Sequence, residues 1–311
     1  MSSQRKTSVT YSLIHEEYAG QRIDHFLHCL LKNAPKSLIY RFIRTGQVRI
    51  NKRRTTPDYR LMAGDNIRIP PVDVTQFKVL PCAPRRKNFK IVYEDDALLV
   101  IDKPAHVASH GGSGIAFGVI EQLKQARPDA KYLRLAHRLD KDTSGLLMIA
   151  KKHAALVRLH DILRNGLSDK HYYALLLGHV LNYQEDITLP LHEGRTSEGK
   201  KYVQVNQNGR FARTILTVVK KYHDYTLVDA LIKTGRTHQI RVHTQYLGHP
   251  VAGDALYGDF NHNRSLARWG LKRMFLHAYR ITLPHPISNK SLTMESPLPV
   301  DLQKLLDRLE V

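Results

Sequence analysis

Cysteine is nearly absent. Cys29 and Cys82 are the only two in 311 residues, too few for a disulfide framework and too far apart for a short-spaced metal pair. They read as buried or linker thiols of a reducing compartment. Long apolar runs are missing too: none approaches the roughly 18 residues of a membrane span, and the opening Met-Ser-Ser-Gln-Arg-Lys-Thr leads into no signal core. These gaps predict a cytoplasmic protein with no membrane partner. Despite 18 histidines, the chain has no HExxH and no Cys/His cluster, so no metal is expected. Internal repeats and low-complexity tracts are not evident.

Acidic residues are the other scarce class. Against 48 Lys+Arg stand 28 Asp+Glu, a net charge of +20, and residues 1–90 carry 18 Lys+Arg against 6 Asp+Glu, or +12. Charge so concentrated at one end points to a polyanion partner, nucleic acid above all. With 42% apolar residues there is still material for a large core, and the length allows about two domains.

The basic end reads as a small domain. Over 20–32, Ile23, Phe26, Leu27, Leu30 and Leu31 fall on one helical stripe that Pro35 breaks. A second helix turns Leu38, Ile39, Phe42 and Ile43 inward and Lys36, Arg41 and Arg44 mainly outward, and Gly46 ends it. Val48 and Ile50 then alternate with Arg49 and Asn51, Lys52-Arg53-Arg54 loads a turn with cations, and Ile67-Arg68-Ile69 closes as a strand. Lys36, Ser37, Arg41, Arg44, Lys52, Arg53 and Arg54 are candidate phosphate contacts, although each one alone also fits a plain solvated charge. Four prolines between Pro70 and Pro84 mark a linker. The boundaries read as 1–72 (core about 20–72), 73–88 and 89–311.

The second domain opens with a hairpin, Phe89 to Tyr93 and Ala97 to Ile101. The loop His110-Gly111-Gly112-Ser113-Gly114 lacks both dinucleotide-fold spacing and the Gly-Lys-Ser/Thr of a P-loop, so no nucleotide cofactor is expected. Helices are predicted over 117–127, 153–165 and 300–309, and strands over 170–180, 201–205, 213–222, 225–233 and 274–278. Between them, Leu135 to Ala150 concentrates five ionisable side chains from His137 to Asp142, turns at Thr143-Ser144-Gly145 and ends in a buried strand. An extended backbone through Asp140 puts Arg138 and Asp140 on one face and Leu139 on the other. A solvated turn with Asp142, Thr143 and Ser144 bonded to their own backbone fits the same residues. A second charged constellation runs from Gly235 to His243, where Ile240, Tyr246 and Leu247 suit a helix whose other face carries His238 and Arg241.

In order, the motifs HRLDKDTSGLL, KHYYAL, GRTHQIRVH, GD…YG and MFLHA resemble the pseudouridine synthases of the RluA family. Helix, helix and hairpin with GxVxxN and GDxIxI resemble the alpha-L RNA-binding domain, and these N-terminal motifs with HGGSGIAFGVIE are similar to family members acting on large-subunit ribosomal RNA. The resemblance implies an α+β fold whose mainly antiparallel mixed sheet is flanked by helices and loops. It implies a monomer that isomerises uridines of 23S ribosomal RNA to pseudouridine without cofactor or metal.

Site roles follow from the same resemblance. Asp140 falls on the catalytic aspartate, Arg241 on the arginine that pairs with it, and Tyr172 on the tyrosine that stacks on the uracil and is implied to help remove the C5 proton. Arg138 falls on the residue that fills the gap left by the flipped uridine, with Arg236 and His238 as further RNA contacts. The chain departs from many relatives in Asp102-Lys103-Pro104-Ala105-His106, where His106 replaces a glycine; His106 and His110 fit RNA contact and structural roles alike. Competing readings are a tRNA or dual-specificity isomerase and a non-catalytic RNA-binding assembly factor. A nucleoside hydrolase would need a second carboxylate, which these motifs do not offer.

Overall fold

The computed structural model describes residues 9–31, 34–72, 88–111, 117–195 and 201–310. The chain divides into two compact units, Met1–Ala83 and Pro84–Val311. The expected linker, save residue 88, lies outside the described residues, as do Cys82 and the glycine loop beyond Gly111.

The first unit holds β1 (Thr10–Leu13), α1 (Ile23–Leu30), α2 (Lys36–Arg44), β2 (Arg49–Ile50) and β3 (Asn66–Ile69), with antiparallel strands in the order β1-β3-β2. The helices form where Ile23, Phe26 and Leu27, then Ile39, Phe42 and Ile43, recur three and four apart and bury against Val48, Ile50, Ile67 and Ile69. Leu30, expected on that stripe, is exposed: it is the last residue of α1, and Leu31, already off helical geometry, packs against the core instead. Strand β1 was not legible, because Tyr11 and Leu13 lie exposed and leave no inward alternation to read. Asn51 and Lys52 both adopt left-handed backbone at the cationic turn. Asn51 holds them there, donating to Asp65 at 2.8 Å and accepting from the Asn66 N–H at 2.9 Å.

In the second unit come β4 (Lys90–Glu94), β5 (Leu98–Lys103), α3 (Val119–Ala126), β6 (Arg134–Leu135), β7 (Ser144–Ala150), α4 (His153–Arg164), β8 (Asp169–Leu177) and β9 (Gln184–Ile187). They are followed by β10 (Leu191–Arg195), β11 (Lys201–Val205), β12 (Thr214–Lys221), β13 (Tyr225–Ile232), α5 (Gln239–Tyr246), α6 (Phe260–Arg268), β14 (Leu276–Pro284), β15 (Ser291–Glu295) and α7 (Val300–Leu309). One sheet runs β4-β5-β7-β14-β8-β13-β12-β9, with β15 beside β14 and β6 beside β7; β10 and β11 pair separately. Only β7 with β14 is parallel, so this is the mainly antiparallel mixed sheet of an α+β fold.

Every residue of β7 is buried because both faces of the sheet are covered. Leu147 and Ile149 join Leu99, Ile101 and Ile240 on one side, while Leu146 and Met148 meet Ala155 and Leu159 of α4 on the other. The expected turn at Thr143-Ser144-Gly145 sits earlier, at Lys141-Asp142, closed by the Thr143 N–H donating to the Asp140 carbonyl at 3.2 Å. Gly145 already belongs to β7: it has φ +110°, and a Cβ there would lie 2.2 Å from the Ala278 carbonyl oxygen of β14. Strands β9 and β10 and helix α6 were not expected, since Gln184-Glu-Asp-Ile and Phe260-Asn-His-Asn offer no apolar period.

Candidate active site

Asp140 stands in the irregular segment that enters β7, with Leu139 in the core and Arg138 exposed. Its neighbours are clamped on both sides. Ser109 donates to the Leu139 carbonyl at 2.7 Å and accepts the Leu139 N–H at 3.0 Å. Lys103, fully buried, donates to the carbonyls of Lys141, Pro104 and Val107 at 3.2, 2.9 and 2.8 Å. Burial pushes the Lys103 ammonium down to about 7, with the Arg273 charge adding to it. Its three protons nevertheless all find acceptors, the requirement for burying a charge.

Arg241 comes from α5, 101 residues further along the chain. The turn before the helix is fixed by Gln239, which accepts from the Thr234 hydroxyl at 2.6 Å and the Arg236 N–H at 3.1 Å and donates to Thr214 at 2.9 Å. His238 precedes the helix in left-handed backbone and is not on its face. The expected division of faces holds only in part: Ile240 is buried, but Tyr246 and Leu247 are exposed, while Arg241 is 9% exposed. An arginine can be this buried because carboxylates surround it. It donates to Asp254 from Nε at 2.6 Å and from NH2 at 2.9 Å, and to Asp140 from NH1 at 2.9 Å. Burial opposes its charge, yet Asp254 and then Asp140 outweigh that and raise its pKa further. Burial would likewise raise the Asp254 carboxyl, but the Arg241 bonds and the Leu256 and Tyr257 N–H groups bring it below its ordinary value.

A second carboxylate, from the GD…YG motif, therefore shares Arg241 with the first. It is no acid for hydrolysis, since each of its oxygens is already bonded.

Tyr172, on β8, is buried and lines a cavity of about 80 Å³ with Arg138, Asp140, Gly235, His238 and Arg241. One water needs about 10–15 Å³ by the same measure, so the space suits a small ring. Burial and then the Asp140 charge push the Tyr172 phenol upward, which keeps it protonated. His238 Nε2 lies 3.9 Å from Asp140, and Nδ1 lies 2.8 Å from the Tyr257 hydroxyl. That hydroxyl also accepts the Val203 N–H at 3.0 Å, and the direction of its bond with His238 follows the tautomer of the neutral imidazole. Burial lowers the His238 pKa against the pull of Asp140, favouring this neutral ring.

Arg138, Gly235 and Arg236 also line an adjoining cavity of about 410 Å³ floored by β10 and β11. Arg236 is exposed and donates to the Phe211 carbonyl at 2.9 Å. Lys36, Arg41, Arg44, Lys52, Arg53 and Arg54 are all exposed in the first unit. His106 is not free at the surface but pairs with Asp142 at 2.9 Å. Other histidines are fully buried: His243 bonds Thr214 and Leu189, and His277 bonds Ser144.

Sequence reasoning missed Asp254, Tyr257, Lys103 and Ser109. The first two lay inside the quoted GD…YG motif, read only as a turn; the last two carried no signal beyond their position. Among the described residues no group of three or more His, Cys, Asp or Glu is placed to hold a metal, and no helix is long and apolar enough to cross a membrane.

Residues 97–246 match the family described as RNA pseudouridylate synthase, and residues 21–67 match the S4 domain. The ribosomal large subunit pseudouridine synthase C of Pasteurella multocida is 45% identical over 301 residues, covering 95% of this chain and 92% of that protein. Its namesake in Escherichia coli K12 is 45% identical over 309 residues, covering 97% of each. Among solved structures, human RNA pseudouridylate synthase domain containing 4 superposes with a TM-score of 0.59 at 26% identity, over 71% of this chain and 93% of that one.

Proposed function

Because this chain belongs to the RNA pseudouridylate synthase family, we propose that it isomerises uridines of large-subunit (23S) ribosomal RNA, with Asp140 as the catalytic carboxylate. It is an isomerase acting on ribosomal RNA. The observation that carries the assignment of the site is the 2.9 Å pair of Asp140 with Arg241, in the wall of a cavity shared with Tyr172.

The reaction breaks C1′–N1 and C5–H and forms C1′–C5 and N1–H, so the proton lost from C5 is balanced by the one that N1 gains. A stacked uridine hides both C1′ and C5, so the nucleotide must leave the helix first, at a cost of a few kcal/mol. Asp140 then either attacks C1′ or promotes a glycal; in both cases the bond from Arg241 fixes the direction of the carboxylate. The Tyr172 ring supplies a face for the captive uracil to turn against, and the exposed Arg138 guanidinium takes the vacated place in the stack. His238 and Arg236 contact the RNA beside the cavity. In the first unit Lys36, Arg41, Arg44 and the Lys52-Arg53-Arg54 turn neutralise phosphates.

We read residues 1–72 as this RNA-binding module, 73–88 as a linker and 89–311 as the catalytic domain of a cytoplasmic monomer that uses no cofactor. The test is to map pseudouridines in ribosomal and transfer RNA from cells lacking the gene, and to restore them with wild type or Asp140→Asn. Loss confined to large-subunit ribosomal RNA, restored only by wild type, is expected. Loss confined to transfer RNA would overturn the substrate, and restoration by Asp140→Asn would overturn the catalytic assignment.

A further inference from the structure

Resting on that reading, we propose that the Lys170 ammonium receives the negative charge of the uracil as its bond to ribose breaks. Lys170 is 6% exposed, yet among the described residues it has neither a hydrogen-bond acceptor nor a counter-ion. A buried ammonium without partners is costly, and Lys103 shows how this same fold treats a buried lysine that is structural, with a carbonyl for each proton. Lys170 has no such protein acceptor among the described residues, and its Nζ is not one of the enclosed polar atoms without a partner, so the ammonium reaches solvent.

Its position points to the site. Lys170 and Tyr172 are two apart on β8 and so point to the same face of the sheet. Lys170 pairs with Ile232 of β13, which lines the Asp140 cavity together with Gly235. A Cβ added to Gly235 would lie 3.8 Å from Lys170 Nζ, so the ammonium stands close to Gly235 of the cavity wall, although Lys170 itself does not line the cavity. Burial pushes Lys170 down to about 8, which still leaves it charged at neutral pH.

The chemistry calls for such a charge. When C1′–N1 breaks, the electron pair leaves on the uracil and spreads over N1, O2 and O4. On the direct route an Asp140 oxygen bonds to C1′; on the glycal route the C2′ proton departs to a base and C1′=C2′ forms. Both release the same uracil anion. Arg241 is already committed to two carboxylates, which take three of its five N–H groups and balance its charge. Arg138 and Arg236 are exposed, where water weakens their effect. Lys170 forms no covalent bond and transfers no proton; a fixed cation in a water-poor site stabilises charge that exists only after cleavage.

The test compares wild type with Lys170→Met and Lys170→Gln on a large-subunit ribosomal RNA fragment. Single-turnover pseudouridine formation is expected to fall about 100-fold or more in Lys170→Met, less in Lys170→Gln, which keeps a donor, while RNA affinity stays within about threefold. Lys170→Met is expected to melt at or above the wild-type temperature, since an unpaired buried charge has gone. With 5-fluorouridine at the target, whose uracil leaves more easily, the defect in uridine consumption should shrink. Unchanged rates in both variants, or a rate loss that merely follows lost stability or lost affinity, would overturn the inference. Failure of the wild type itself to make pseudouridine would instead overturn the proposed function.

Discussion

Asp254 holds the Arg241 guanidinium by two bonds, at 2.6 and 2.9 Å, and leaves it one nitrogen with which to reach Asp140. Asp254 is 1% exposed, so its role is to position the arginine rather than to meet substrate. Asp254→Asn should leave a buried guanidinium half paired, costing about 3–5 kcal/mol of stability. It should lower kcat more than it raises KM, because Asp140 loses its fixed direction. Denaturant titration and steady-state kinetics on the same preparation check both.

Lys103→Met removes the donor for three carbonyls, one of them on the residue after Asp140. Orphaned buried acceptors cost about 1–3 kcal/mol each, so unfolding by urea should show a loss of several kcal/mol. An unchanged midpoint would mean that water replaces the ammonium. Lys103→Met and Lys170→Met should therefore move stability in opposite directions.

His106 has φ +64° and pairs with Asp142 where both are more than half exposed. An exposed pair of this kind contributes little, whereas left-handed backbone is strained for a residue with a Cβ. His106→Gly should leave the melting temperature unchanged or slightly raised, as seen by calorimetry. A marked fall would show that the imidazole, not the backbone, holds the loop.

Asp95 should contribute to acid sensitivity, beside Glu94, whose carboxyl the bond from Arg127 likewise holds down at about 2. Burial alone would raise the Asp95 carboxyl, but the Tyr93 hydroxyl, the Ala97 and Leu98 N–H groups and His285 hold it down at about 2. Since the folded value lies below the ordinary 3.8, the stability it contributes is complete above the ordinary value and is lost as pH falls from there toward 2. The melting-temperature gap between wild type and Asp95→Asn should be widest near neutrality and close across that acidic window.

RNA binding should weaken steeply with salt. Replacing Lys52, Arg53 and Arg54 by alanine should flatten the log–log slope by about 0.7–0.9 for each phosphate that the turn no longer neutralises. An unaltered slope in equilibrium binding would remove this turn from the interface.

Local pattern was enough for much of this. The periods of Ile39, Phe42 and Ile43, and of Leu302, Leu305 and Leu306, announced α2 and α7, and the run from Leu146 to Ala150 announced a strand buried on both faces. The charge excess at one end and the motifs around Asp140, Tyr172 and Arg241 marked an RNA partner and the residues of the site, because each is written within a few consecutive positions. The faces of α5 were only partly legible for the same reason: a helical wheel cannot show that Arg241 points inward to two carboxylates.

What sequence could not decide was partnership across distance. Asp140 and Arg241 meet because β7, β14, β8 and β13 lie side by side in the sheet, an order set by how whole strands bury their faces and not by any one segment. The two buried lysines make the same point. Lys103 and Lys170 look alike in the chain, and only tertiary packing gave one a carbonyl for every proton and gave the other no acceptor among the described residues.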